Sequence, residues 1–148
     1  MTDRREAILS RLTDILNAND GGWTVYRNKL DLTENMAPCF VLFDGHEERV
    51  PVGESLGMRT QGIGLVKMTP GVRLYMGDDA ELLGSGLNAM RVSIYKAIMT
   101  DAILLDELTF NGDMIYEGMH TELQRNAQII GELTLIISFT YMLNPAEF

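Results

Sequence analysis

Apolar and polar positions along this chain follow two periods, and each marks an element. The clearest is in the closing stretch GELTLIISFTYMLNPAEF. From Leu133 to Leu143 the residues alternate: Leu133, Leu135, Ile137, Phe139, Tyr141 and Leu143 point one way. Thr134, Ile136, Ser138, Thr140 and Met142 point the other. The spacing predicts a strand spanning roughly 36 Å, against a usual strand of about 5–6 residues. The opposite period opens the chain. In DRREAILSRLTDILNANDGG, Ile8, Leu9, Leu12, Ile15 and Leu16 fall on one helical stripe. Asp3 and Glu6 have capping-box spacing, and Gly21 or Gly22 supplies the stop.

Between these ends the pattern predicts further strands. WTVYRN, from Trp23 to Asn28, reads as extended, and KLDLTENMAP as a polar connection. CFVLFDG reads as a short apolar strand with Asp44-Gly45 as a hairpin turn, so that HEERVPV pairs back as an edge strand. Residues 53–62, GESLGMRTQG, hold three glycines and no period and read as a loop. IGLVKMTPGVRLYM resumes extended structure, with Pro70-Gly71 as a break or bulge. A second helix starts near Asp78 or Asp79, with Leu83, Leu87, Met90, Ile94 and Ile98 as its core stripe. Val92, Tyr95 and Met99 lie nearly opposite, so this helix is covered twice, either by DAILLDELTFNG folding back or by another subunit. DMIYEGM predicts a strand leading through HTELQRNAQII into the long final one, an antiparallel pair. The sum is one α+β domain over residues 1–148: a largely antiparallel mixed sheet packed against two main helices.

Composition narrows the function. The chain of 148 residues is 46% hydrophobic, which predicts a packed globule. No apolar run reaches the ~18 residues of a membrane helix. The opening MTDRREAILSR lacks a signal-peptide core, which predicts synthesis in the cytoplasm. Net charge is −9, unevenly placed: residues 101–148 hold eight acids and only Arg125 as a base. Binding DNA through its phosphates requires clustered Lys and Arg, which this chain lacks.

Candidate chemistry is thin. Cys39 is the one cysteine and His46 and His120 the two histidines, too few ligands for a structural zinc site. The GDD tripeptide at Gly77–Asp79 reads as carboxylates favouring a helix start. DGHEE, Asp44 to Glu48, sets one His among three acids, but alternation on an extended segment prevents their convergence. GIG and GSG lack the spacing of a nucleotide fingerprint, and no serine sits in a nucleophile elbow. Cys39 reads as a small core residue. No nucleophile, base and orienter assemble, so catalysis and a cofactor are not expected and an interaction role is.

The order of segments resembles that of the tail terminator proteins of long-tailed phages, the minor tail protein U type. The resemblance runs from AILSRLTDIL and VYRN through APCFVLFDG, MTPGVRLYM and LNAMRVSIYKAIMTD. It is clearest in IYEG followed by GELTLIISFTYMLNP. It implies a non-enzymatic virion subunit, assembled in the host cytoplasm, that joins with further copies of itself into a hexameric ring. Such a ring caps the tail tube protein, stops tube growth and presents a surface to the head-side connector protein, while DNA passes through its hole without specific binding. On that reading Met58, Arg59 and Gln61 of the glycine-rich loop and Val92, Tyr95 and Met99 of the second helix are contact residues. Glu107, Asp113, Glu117 and Glu122 are then acids lining the hole, with an outer rim as their alternative position. Another neck or tail-completion subunit, or a non-viral small-molecule-binding α+β domain, are the competing expectations.

Overall fold

A computed structural model describes residues 3–51, 64–77, 80–108, 112–125 and 129–147. The predicted loop at 53–62 lies outside these. The described residues form five strands and three α-helices in the order α1 (Arg4–Asn17), β1 (Thr24–Arg27), β2 (Cys39–Arg49), β3 (Gly64–Gly77), α2 (Ala80–Met99), α3 (Ala102–Leu108), β4 (Asp113–Arg125) and β5 (Ile129–Leu143). The strands form one mixed sheet in the order β1-β2-β3-β5-β4. Only the β1–β2 pair is parallel. This is the expected α+β class, with a third helix added.

The helices lie on one face of the sheet. The apolar stripe of α1 meets Phe40 and Leu42 of β2, and α2 and α3 lie over β5. Leu133, Leu135, Ile137, Phe139 and Tyr141 are all buried there, as the alternation of β5 predicts. β5 is interior but not central: β3 occupies the middle of the sheet. Gly131 permits the close approach of α2, since a Cβ there would stand 2.7 Å from Leu87 and 3.0 Å from Leu83.

Several boundaries differ from expectation, each for a visible reason. Asp44-Gly45 is a bulge within β2, not a hairpin turn. Gly45 adopts φ 69° with its backbone against the Thr69 carbonyl, and His46 to Arg49 continue the pairing with β3. The carboxylate of Asp44 is held by Arg27 Nε at 2.8 Å, and its amide donates to Asn28 Oδ1. Arg27 also grips Glu6 at 2.7 and 2.9 Å, tying α1 to β1 and β2. Glu6 is thereby diverted from the expected capping box; Asp3 alone caps α1 by accepting from the Arg5 amide. The helix ends at Asn17, ahead of the glycines, because Asn19 bonds the Leu16 carbonyl and receives the Trp23 amide. β3 runs unbroken through Pro70-Gly71, and HTELQR belongs to β4 rather than to a connection.

Candidate functional site

The opposite sheet face carries no helix among the described residues. Tyr26, Leu32, Ala37 and Phe43 pack with Cys39, Val41 and Tyr75 to cover one end of it. The rest is the polar face of the alternation. Register places Lys67 beside Thr140 and Asp113, Arg73 beside Thr134 and His120, and Tyr75 beside Glu132 and Glu122. Glu48 joins the first row opposite Lys67. The carboxylates of this face, among the described residues, are thus Glu48, Asp113, Glu117, Glu122 and Glu132; its cations are Lys67, Arg73 and, beside Tyr26, Lys29.

Glu117 is the best-held acid. It is the extra residue of a β4 bulge between Tyr116 and Gly118, where Gly118 has φ 146°. The bulge aims its carboxylate at β5 and β3. Ser138 Oγ donates to it at 2.6 Å, and Lys67 Nζ stands 3.2 Å away. The Ser138 hydroxyl, then Lys67, hold the Glu117 carboxyl below its ordinary pKa, so it is ionised at neutral pH. Near the rim, Glu122 meets His120 Nε2 at 3.0 Å, and Glu132 stands 3.9 Å from Arg73 Nε. Arg73 also lies over the Phe43 ring, 5.0 Å from its centroid.

Three groups could be mistaken for nucleophiles. Burial pushes the Cys39 thiol up to about 11, leaving it protonated. Burial first, and Glu47 second, raise the Tyr141 phenol well above its ordinary range; it donates to the Glu47 carboxylate. Ser138 is buried, and its proton is held by a carboxylate whose lowered pKa makes it a weak base. A cleft of about 360 Å³ between α1 and α2 includes Arg11, Asp14, Asn19, Ser93 and Asp101 in its walls. Its main charges satisfy each other: Arg11 makes two bonds to Asp101, at 2.8 and 3.0 Å, and Asp101 also accepts the Leu104 amide at the start of α3. No group of three or more His, Cys, Asp or Glu among the described residues is placed to hold a metal ion. None of the described helices is long and apolar enough to cross a membrane.

The expected site residues separate. Asp113, Glu117 and Glu122 share the uncovered sheet face. Glu107 does not: it lies on α3 in the helical layer, where its carbonyl accepts from Arg4 Nη1 at 2.9 Å. Of the second apolar stripe of α2, Tyr95 meets Tyr116 edge-on at 5.3 Å and Met99 packs against the core. α3 packs on α1 and β5, and Val92 remains 55% exposed. Met58, Arg59 and Gln61 lie outside the described residues. Lys67, Ser138, Ile115 and Met119 were not singled out as site residues by the sequence reading. DMIYEGM was legible as a strand, but its continuation through HTELQR and the bulge at Glu117 were not, and the bulge resets which residues face outward. No protein-family model matches the chain, and no curated protein matches it either.

Proposed function

We propose that this chain is a structural virion subunit of the tail-terminator kind. Copies form a ring, six by resemblance, on the end of the phage tail tube; the ring stops polymerisation and offers its far side to the head connector. The observation carrying this reading is the uncovered sheet face. It is broad and polar, and its carboxylates outweigh its cations. Turned toward a central hole, Asp113, Glu117 and Glu122 repel DNA phosphates from every side, so DNA slides through without being held. The fixed geometry of Glu117 keeps its charge in place on that wall. The protonated states of Cys39, Tyr141 and Ser138 fit a subunit that performs no chemistry. Glu107, in the helical layer, serves the outer wall and is removed from the lining.

The test is a tube-growth assay. Purified protein is added to polymerising tail tube subunits, and tube lengths are measured by electron microscopy. A terminator caps one end, shortens the length distribution as its concentration rises, and leaves a visible cap. Unchanged lengths with bare ends contradict the reading.

A further inference from the structure

The two edges of the sheet are unlike, and the difference points to how one copy meets the next. β4 is a strand of 13 residues at the sheet edge, bonded among the described strands only to β5. It contains neither proline nor lysine; its bulge at Glu117 and its acids are what guard this edge against pairing with another acidic one. Ile115, 45% exposed, projects on the uncovered face, and Met119, 43% exposed, on the helical side. Exposed Val92 lies one helical turn before Tyr95, which itself rests on Tyr116 of β4. The charges beside these apolar residues are Asp113, Glu117 and Glu122.

The far edge is β1, only four residues long. Three residues past its end stands Leu30, 79% exposed, the most exposed large apolar residue among those described. Lys29 precedes it, with its ammonium 5.4 Å from the centroid of Tyr26. Tyr26 pairs with Val41 of the uncovered face, so Lys29 stands on the same side of the sheet as the β4 acids.

We propose that the β1 edge of one copy docks on the β4 edge of the next, with Leu30 against Ile115 and Lys29 facing the β4 carboxylates on that same side of the sheet. The proposal rests on the ring reading and names its contact. Two β4 edges set against each other would place acid beside acid, which disfavours a twofold pair; the β1 edge supplies both an opposite charge and an unburied apolar side chain. The contact is heterologous, as any ring contact with a single rotation axis must be. It also keeps the uncovered faces of successive copies on one side.

The experiment uses the full chain and two variants, Leu30→Glu and Ile115→Glu, with mass measured by light scattering after gel filtration. Wild type forms the closed assembly. Each variant alone runs as a monomer, with assembly weakened at least about 30-fold, as expected for loss of an interface hot spot. Mixed one to one, the variants form a dimer of twice the monomer mass. One intact β1 edge then meets one intact β4 edge, and the spoiled ends stop further growth. Both changed side chains are exposed, and circular dichroism with a urea midpoint checks folding. Ile115→Gln replaces Ile115→Glu if that midpoint falls. A wild-type ring that survives Leu30→Glu overturns this contact and leaves the ring reading intact, and so does a mixture that stays monomeric. A Leu30→Glu protein that still dimerises through β4 also overturns it. Wild type that is monomeric at all concentrations overturns both.

Discussion

Phe139 tests the register on which both sheet faces depend. Its ring is fully buried, between Met68 of β3 and Met114 of β4 and beneath the helices. Trimming it to alanine forfeits roughly 2–3 kcal/mol of transfer free energy. A residual void of ~50 Å³ would add about 1.2 kcal/mol at ~24 cal/mol per Å³. Both cross-strand neighbours are methionines, which are flexible enough to fill part of that void. The expected loss is therefore ~3–4 kcal/mol, toward the lower end of the range for buried Phe→Ala. Thr140→Ala, one residue on and facing the other way, should cost less than ~1 kcal/mol. The assay is urea unfolding at fixed protein concentration, read by the fluorescence of Trp23, whose ring packs 4.9 Å from that of Phe40. With unchanged m-values, a Phe139→Ala loss below about 1 kcal/mol, or equal losses at the two positions, would refute the register and with it the assignment of the acids to the uncovered face.

Further expectations concern single groups. Gly45→Ala should destabilise by more than the ~1–3 kcal/mol of an ordinary residue at positive φ, because its Cβ would also strike the Thr69 carbonyl; a thermal or urea melt measures this. The Cys39 thiol, buried and raised to about 11, should resist thiol reagents at pH 8 in the native state and react at once in denaturant. Arg11, hydrogen-bonded to Asp101, holds the Asp101 carboxyl below its ordinary value. That stabilisation is present above the ordinary aspartate range and is lost as pH falls through the lowered native pKa. Arg11→Met should move the Asp101 titration, followed by carboxyl NMR, back toward higher pH; an unmoved titration would remove the pairing from the account.

What the sequence displayed was periodicity, and what it concealed was pairing. The stripe of α1 and the alternation of β5 were legible because burial demands apolar residues at fixed spacing, and both faces of β5 stand as that alternation required. The end of α1 was misplaced because glycine is only one way to stop a helix, and the side chain of Asn19 does so first. Asp44-Gly45 has the composition of a hairpin turn. Whether such a pair turns or bulges depends on the strand it meets, here β3, far along the chain. The candidate site suffered the same limit. Asp113, Glu117 and Glu122 were selected by charge alone, and the strand register brought them together. Glu107 was selected the same way, and the helix carrying it lies on the other side. Tyr95 and Met99 showed as a second stripe of α2, but only the tertiary structure assigns them to β4 and the core and leaves Val92 outside.

The most direct measurement of the central claim is electron cryomicroscopy of the purified protein at a resolution that orients the subunit. The account predicts a closed ring with a central hole, the sheet face bearing Asp113, Glu117 and Glu122 turned toward the lumen and the helices outside. A ring lined by α1–α3 with those acids on its outer surface, or particles with no hole at any concentration, would contradict it.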